Sequence, residues 1–432
     1  MKRVLIISPY FPPSNSADMH RIRMSLPYFE KFGWKAEVVT VDHSYSDVVK
    51  DEFLSMSIPQ SINIHSVQAL SKQLTTKVGL GSIALRSLWY YKTYVDNLLK
   101  REAFDLIYFS TTQFPVCILG PYWKKRYKVP YIIDMQDPWH SNYYQDKPKK
   151  ERPAKYWFSY RMNKYLEPIA MNKADGLISV SKAYINDLQS RYVQLKKVPA
   201  EVITFGAFEK DFELALTQKH LFKPLNIKAN QNVNIVYVGR GGHDMYKAIS
   251  LLFRSVKDGL KNSPQFFSKL KFHFIGTSYA PAGKGIPTVL PIAQEFGISE
   301  HVIEETDRVT FYQGISYLLE ADALFIAGSD DPKYTASKIY PYILAKKPLL
   351  AIFHSESSAY KIIEESKAGH VIAIDKPENT SLLVDRFLST INIPDIKTDW
   401  NYFEQFSAEN MTFRQCKLFE KVLTNYAGVN HE

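Results

Sequence analysis

A glycine-rich segment with one arginine is the first place where the chain could bind a small ligand. Val238-Gly239-Arg240-Gly241-Gly242 lies between an apolar run and a helical pattern, and Lys247 follows within that pattern. Glycines let backbone N–H groups approach an anion closely, and an arginine fork can hold the anion through paired hydrogen bonds. The spacing is not the GxGxxG of dinucleotide sites, and a plain strand-to-helix turn is the alternative. The segment indicates an anion site formed by Gly239, Arg240 and Gly241. Lys247 either assists this site or is simply solvated.

A second basic position follows the apolar strand predicted for residues 324–327. A polar loop leads to Ser337, where a helix is predicted to begin and to run to Lys347, because Pro348 blocks its continuation. Ser337 can cap the free N–H groups of the first turn, and Lys338 adds a positive charge beside them. These features favour a phosphate or diphosphate. The alternative is that Lys338 is simply solvated.

Residues 134–140 place two carboxylates close to an imidazole. Asp134 ends a predicted strand, and Asp137 lies in its exit loop next to Pro138. Asp137, with His140 three residues away, could serve as a general base that deprotonates a hydroxyl. A turn capped by Asp137 before the proline is the structural alternative.

One further arginine, Arg308, lies between a predicted strand and the next helix. Its guanidinium could contact a nucleobase or a phosphate. Equally, it could pair with the nearby carboxylates of Glu304 or Glu305.

Composition limits the kinds of protein that this chain can be. Its 432 residues are enough for about two to three domains, and 45% hydrophobic with 23% charged residues is ordinary for a globular protein with a sizeable core. No apolar run approaches the roughly 20 residues that a membrane span needs, and MKRVLIIS is predicted to be a first strand rather than a signal peptide. The two cysteines lack metal-ligand spacing and indicate buried thiols in a reducing compartment. We therefore expect a cytoplasmic protein.

The net charge of +10 lies in the first half of the chain. Residues 1–205 hold 29 Lys and Arg against 18 Asp and Glu, whereas residues 206–432 hold 25 against 26, so the two halves carry +11 and −1. The basic residues cluster at positions 124–128 and 147–155, interleaved with aromatic side chains. This pattern suits an anionic membrane surface, and we expect peripheral association with the inner face of the cell membrane. Nucleic acid is not expected as a partner, because no nucleic-acid-binding motif is present, and a solvated basic face is the alternative.

Apolar runs alternate with helical patterns along both halves of the chain, which is typical of parallel sheets covered on both faces. The predicted fold class is α/β, with two doubly wound Rossmann-like domains facing a central cleft. Residues 1–206 form the first domain, polar residues 207–232 a linker, and residues 233–400 the second domain. Residues 401–432 form a helical segment that can pack back on the first domain.

Several segments together resemble one known family, the GT-B glycosyltransferases of the family-4 type. The segments that carry this resemblance, in chain order, are VLIISPYFPPSNS, YIIDMQDPW, EVITFGAF, VYVGRGG, DRVTFYQGISYLLEADALFIAG and ASKIYPYILAKKPLLAI. The resemblance implies a nucleotide-sugar donor in the second domain and a lipid-linked or glycan acceptor in the first. It also implies that Arg240 and Lys338 hold the donor diphosphate and that Asp137 is the base. The family needs no metal ion, and the nucleotide-sugar is a co-substrate, so no cofactor is expected.

The chain departs from the family pattern at two places. Ser14-Asn15-Ser16 stands where a glycine pair is usual, and Lys333 and Pro341 stand where two glutamates are usual. Because the second glutamate normally contacts the donor ribose, donor contacts are either remodelled, with Asp330 or Asp331 as substitutes, or lost. An enzyme of cell-surface glycan biosynthesis is the favoured interpretation, and a degenerate GT-B protein that binds without turnover is the alternative. A nucleotide-sugar epimerase would need a second carboxylate base, for which there is no motif.

Overall fold

The computed structural model describes residues 1–142, 145, 148–149, 152, 156–225, 232–332, 336–391 and 397–429. The strands are β1 Lys2–Ile7, β2 Trp34–Val41, β3 Asn63–Val67, β4 Leu106–Ser110, β5 Tyr131–Met135, β6 Gly176–Ser179, β7 Ala200–Val202, β8 Val233–Val238, β9 Leu270–Ile275, β10 Val302–Glu305, β11 Ala323–Ala327, β12 Leu349–Phe353 and β13 His370–Ala373. The helices are α1 His20–Ser25, α2 Phe53–Met56, α3 Lys72–Thr75, α4 Ile83–Arg101, α5 Leu119–Tyr127, α6 Tyr156–Met171, α7 Lys182–Arg191, α8 Glu209–Thr217, α9 Tyr246–Asn262, α10 Pro264–Phe267, α11 Leu290–Phe296, α12 Phe311–Glu320, α13 Ile339–Leu344, α14 Ser358–Glu365, α15 Thr380–Thr390, α16 Trp400–Phe403 and α17 Ala408–Val429. Short 3₁₀ turns join several of them.

The chain divides into two compact units. The first unit consists of Met1–Gly206 and Ala408–Glu432, and the second of Ala207–Ser407. The return to the first unit therefore occurs at residue 408, a few residues after the predicted boundary at residue 401. The first unit contains β1–β7, and the second contains β8–β13.

A parallel sheet of seven strands forms the centre of the first unit, in the order β3-β2-β1-β4-β5-β6-β7. All residues of β4 and β5 are buried, as expected for strands covered on both faces. The strand order reverses between β1 and β4. In doubly wound sheets, ligands bind beyond the carboxyl ends of the strands at such a reversal.

The C-terminal helix α17 covers part of this sheet. The ring of Phe419 packs against Phe29, Trp34 and Tyr108, with ring centroids 6.2, 5.2 and 5.1 Å away. Aromatic pairs at these distances add to the free energy gained from burial of apolar surface. The apolar face of α17 thus explains why the chain returns to its first unit.

The second unit is built in the same way. Its six parallel strands lie in the order β10-β9-β8-β11-β12-β13, and the order reverses between β8 and β11. The loop after β8 carries the glycine-rich segment, and the loop after β11 leads to Lys338. The topology therefore brings the two predicted anion-binding segments to the same reversal point.

The structure differs from the sequence prediction at the start of the segment predicted to be a linker. Residues 209–217 form helix α8, in which Phe212 and Ala215 are buried. The hydroxyl of Tyr312 in α12 donates a hydrogen bond to the buried Asp211 carboxylate at 2.7 Å. This helix is stabilised by packing against a residue about 100 positions away, which local periodicity does not reveal.

Within the described part of the chain, no helix combines the length and the apolar character that crossing a bilayer requires. Cys117 and Cys416 are both buried free thiols, as the sequence predicted.

Candidate active site

Lys338 and Gly239 come together at the reversal point of the second sheet. The Lys338 ammonium donates a hydrogen bond to the Tyr237 hydroxyl at 2.5 Å and lies 4.4 Å from the centre of the Tyr237 ring. A side chain at position 239 would have its Cβ 3.4 Å from the Lys338 Nζ. The lysine that follows β11 therefore lies directly against the glycine loop that follows β8.

Arg240 completes this cluster but is already paired. Its guanidinium donates two hydrogen bonds to the Asp244 carboxylate, at 2.9 and 2.7 Å, and the ion pair is partly exposed. The Tyr237 hydroxyl donates to the Arg240 carbonyl oxygen at 2.7 Å. Hydrogen bonding to Arg240 lowers the pKa of Asp244. Tyr237 thus links Lys338 to the backbone of the arginine loop.

The surroundings of Lys338 weaken its hold on a proton. Partial burial and, to a lesser degree, the nearby Arg240 charge lower the pKa of Lys338 to about 7, although Asp244 opposes the shift. The Lys338 side chain is partly buried and its ammonium is hydrogen-bonded to Tyr237, so the alternative of a plain surface lysine does not hold. A cation that has lost part of its water and lies beside a second cation gains from the arrival of an anion.

The glycine at position 241 is required by close packing. Its N–H donates to the Thr277 carbonyl oxygen at 2.8 Å. A Cβ at this position would lie 2.2 Å from the Thr288 Oγ1, far inside van der Waals contact. Any larger residue at position 241 would therefore force Thr288 or the loop after β8 to shift.

The prediction that Ser337 caps the following helix is wrong. Helix α13 begins at Ile339, its N-cap is Lys338, and Ser337 is exposed in the preceding turn. The helix ends at Leu344 because Lys346 takes a left-handed conformation with φ of 54°. A helix this short has a weak dipole, so an anion at this end would be held by the Lys338 charge. Lys333, one of the two residues in place of glutamates, lies outside the described residues.

Lys247 and Arg308 occupy the edges of the same region. The Lys247 ammonium pairs with the Asp330 carboxylate at 3.0 Å, and both side chains are largely exposed, so this pair contributes little to stability. The Arg308 guanidinium lies 4.6 Å from the centre of the Tyr279 ring. Glu304, one of its predicted alternative partners, instead accepts hydrogen bonds from the N–H groups of residues 288–290.

In the first unit, Asp134 is held by a buried ion pair. The Arg21 Nε lies 2.7 Å from the Asp134 Oδ2, and both side chains are fully buried. Ser110 and Gln136 donate to the same oxygen at 2.8 and 2.9 Å. Removal of one partner from such a pair is strongly destabilising, so Asp134 has a structural role.

Asp137 lies in a different environment. Its side chain is exposed, and its pKa is raised by partial loss of water and by the negative charge of Asp18. Asp18 is buried and accepts hydrogen bonds from the side chains of Thr111 and Thr112 at 2.9 and 3.1 Å. A carboxylate with a raised pKa is a better proton acceptor than an ordinary surface aspartate.

His140 contacts Arg191 and Glu167. Its Nδ1 lies 3.2 Å from the Arg191 guanidinium, and its backbone N–H donates to Glu167 at 3.0 Å. The buried Glu167 also pairs with Arg191 at 2.5 Å. Among the contacts of the described residues there is none between the His140 imidazole and the Asp137 carboxylate.

The sequence did not reveal four residues that shape these sites, namely Tyr237, Asp244, Glu167 and Arg191. Tyr237 lies within a strand and therefore resembles a core residue. Glu167 and Arg191 lie in helical patterns and Asp244 in the turn before one, where a charged side chain is usually solvated. Only the spacing of Arg240 and Asp244, four residues apart at the start of a helix, was a local signal of pairing.

Comparisons with known proteins agree with this description. Residues 54–206 match the model of Glycosyltransferase Family 4. No curated protein sequence matches the chain.

Several solved structures share the fold along nearly the whole chain. Sucrose-phosphate synthase from Thermosynechococcus elongatus has a TM-score of 0.60 at 12% identity, covering 98% of this chain and 100% of that one. HepE of Anabaena, in complex with UDP, has a TM-score of 0.57 at 13% identity over 97% and 100%. WaaG, a glycosyltransferase involved in lipopolysaccharide biosynthesis, has a TM-score of 0.52 at 15% identity over 99% and 100%. The predicted resemblance is thereby confirmed: the chain has the GT-B fold, and its residues 54–206 match the model of Glycosyltransferase Family 4.

Proposed function

We propose that this protein is a metal-independent glycosyltransferase that moves a sugar from a nucleotide-sugar donor to a lipid-linked or polysaccharide acceptor in cell-surface glycan biosynthesis. The observation that carries this proposal is the cluster of Lys338, Tyr237, Gly239 and Arg240. It stands where the strand order of the second sheet reverses, the place at which doubly wound sheets bind their ligands. The comparison with HepE, which was solved with UDP, supports a nucleotide as the ligand.

In the proposed mechanism the two cations stabilise the leaving nucleoside diphosphate. Negative charge develops on the diphosphate as the bond to the sugar breaks, and Lys338 and Arg240 neutralise this charge. In the free protein Arg240 is paired with Asp244. To bind the diphosphate, Arg240 must either contact both anions or release Asp244. We assign Lys247, which pairs with Asp330, and Arg308, which lies over the Tyr279 ring, to more distant parts of the donor.

The acceptor hydroxyl must lose a proton when it attacks the sugar. We assign this step to Asp137, whose raised pKa suits a general base. Its carboxylate is exposed and can therefore reach an acceptor hydroxyl.

A second candidate function is binding without turnover. It is favoured by Pro341, which lies in α13 where the family pattern has a ribose-binding glutamate. Proline has no side-chain acceptor for a ribose hydroxyl. Such a protein would bind a nucleoside diphosphate and fail to transfer sugar.

Release of nucleoside diphosphate from a donor panel separates the two functions. The full chain is incubated with UDP-, GDP- and dTDP-sugars, with and without a membrane lipid extract as the source of acceptor. The proposed enzyme releases one nucleoside diphosphate above the rate of the Lys338→Ala/Arg240→Ala double variant. Binding of a nucleotide without release from any donor would favour the second candidate function.

A further inference from the structure

The first unit contains a cavity that the diphosphate cluster does not explain. Its volume is about 310 Å³, and it lies beyond the carboxyl end of β5 against helix α7. Polar side chains line much of it, including His140, Asn142, Asp187 and Arg191, while Pro138 and Leu188 provide an apolar wall. Mixed walls of this kind are typical of small-molecule sites, in which a few polar groups set the orientation of the ligand.

The contacts of His140 determine which of its nitrogens carries a proton. Arginine can only donate hydrogen bonds, so the Nδ1 atom facing the Arg191 guanidinium at 3.2 Å must be the acceptor. A neutral imidazole then carries its proton on Nε2. The neutral form is favoured because partial burial and the positive charges of Arg191 and Lys164 lower the pKa of His140.

The Nε2 atom of His140 has no hydrogen-bond partner within the described chain and is covered in the ligand-free protein, so a ligand oxygen in the cavity reaches it only when the ring turns. A buried N–H without a partner costs free energy, which a ligand oxygen would recover. With Nδ1 occupied and Nε2 protonated, this imidazole is a hydrogen-bond donor and cannot accept a proton from a substrate.

The charges around the cavity argue against an anionic ligand. The Arg191 guanidinium is already paired with the buried Glu167 and also donates to the His140 carbonyl oxygen at 3.2 Å. The exposed carboxylate of Asp187, one turn before Arg191 on α7, would repel a phosphate but accept a hydrogen bond from a hydroxyl. Glu167 neutralises Arg191 and Asp187 adds a further negative charge, so the cavity does not attract an anion, and a neutral ligand rich in hydroxyl groups fits best.

We propose that this cavity binds one uncharged sugar ring of the acceptor, with the His140 Nε2–H donating to a ring or hydroxyl oxygen and the Asp187 carboxylate accepting from a hydroxyl. Leu188 and Pro138 face the apolar C–H surface of the ring. This inference rests on the proposed function, because it names the acceptor part that the first unit recognises. His140 is then a binding residue for the acceptor rather than part of the catalytic base.

The test is saturation-transfer NMR on the full chain without any nucleotide. The probes are free glucose, galactose, mannose, N-acetylglucosamine and rhamnose, with inorganic phosphate titrated as a competitor. We expect at least one sugar to bind and its dissociation constant to rise about tenfold or more in His140→Leu, which removes the donor. His140→Gln, which retains an N–H group, should bind more tightly than His140→Leu, and Lys361→Ala, which removes an exposed lysine from α14, should bind as the unaltered chain does.

Three results would overturn the inference: no sugar binds, the His140→Leu chain binds sugar equally well, or phosphate displaces the sugar. Thermal unfolding of each variant shows whether a loss of binding is a loss of fold. Because no nucleotide is present, this experiment can fail while the donor panel still shows release, and the reverse can also occur. The two proposals are therefore tested separately.

Discussion

At the scale of single residues, Lys338 is the group whose chemistry depends most on its surroundings. Its pKa of about 7 means that the free protein holds it partly uncharged at neutral pH. A bound diphosphate favours the charged form and raises this pKa, so binding takes up a proton. The affinity for a nucleoside diphosphate should therefore be constant below pH 7 and fall as the pH rises from 7 towards the pKa in the complex.

Calorimetry from pH 6 to pH 9 measures this dependence, which can reach about tenfold per pH unit. Lys338→Arg provides the matched control, because arginine stays charged over the whole range and also corrects for titration of the nucleotide itself. An identical pH dependence in the two proteins would show that Lys338 does not contact the diphosphate.

Asp137 gives the second prediction at this scale. Asp137→Asn keeps the size of the side chain but cannot take a proton, so it should preserve donor binding and reduce transfer by about 100-fold or more. The unaltered protein should lose activity as the pH falls through the raised pKa of Asp137, since only the ionised carboxylate acts as a base. Activity and thermal stability are measured on the same preparation. If Asp137 only caps a turn, the asparagine variant keeps its activity and loses stability.

At the scale of secondary structure, the loop after β8 depends on glycine. Gly241→Ala places a Cβ 2.2 Å from the Thr288 Oγ1 and should destabilise the protein by about 1–3 kcal/mol, with weaker nucleotide binding. The double variant Gly241→Ala/Thr288→Ala removes the clashing oxygen and should regain part of both losses. Denaturant unfolding and calorimetry measure the two quantities. Equal losses in the single and double variants would mean that the clash is not the cause.

Elements with a strong local pattern could be predicted from the sequence. The first strand predicted in MKRVLIIS and the strand predicted for residues 324–327 are confirmed as β1 and β11, because in both an apolar run ends at a clear turn residue. Helix α8 was missed because its stability comes from the distant Tyr312. Helix α13 is shorter than predicted because Lys346 adopts a left-handed conformation that no local rule requires of lysine.

The candidate site could be predicted only in part. Glycine and basic residues after predicted strands pointed to Gly239, Arg240, Gly241 and Lys338, because strand ends collect ligand-binding loops. Their partners Tyr237 and Asp244 could not be recognised. A tyrosine in a strand more often packs in the core, and an acidic residue next to a helix is more often solvated. The contact between His140 and Arg191 could not be predicted either, because the two residues are 51 positions apart.

At the scale of the whole molecule, charge is divided unequally between the two units. Unit 1 holds 32 Lys and Arg against 21 Asp and Glu, and unit 2 holds 22 against 23, which gives +11 and −1. Of the predicted contact cluster at 147–155, Lys149 and Arg152 are described, and Lys147, Lys150 and Lys155 lie outside the described residues. Trp157 at the start of α6 is 64% exposed and available to a membrane surface. Association with an anionic membrane remains a prediction.

Liposome sedimentation tests this association. The full chain should bind anionic vesicles but not neutral ones, and binding should weaken strongly as salt rises, because exposed charges are screened. Reversal of Lys147, Lys149 and Lys150 to glutamate should release the protein without unfolding it. Reversal of Lys257, Lys261 and Lys269 in the second unit changes the net charge equally and should have less effect. Equal binding to neutral vesicles would identify the basic residues as ordinary solvated surface.

The central claim is that Arg240 and Lys338 hold a nucleoside diphosphate, and calorimetric titration with UDP and with GDP tests it most directly. For the nucleotide that binds, replacement of either residue by alanine removes a charge-assisted contact worth about 1.5–3 kcal/mol, so the dissociation constant should rise by about 10- to 150-fold. Lys361→Ala, which removes an exposed lysine from α14 of the same unit, should bind as the unaltered protein does. Unchanged affinity in both Arg240→Ala and Lys338→Ala, with the fold intact, would contradict the account.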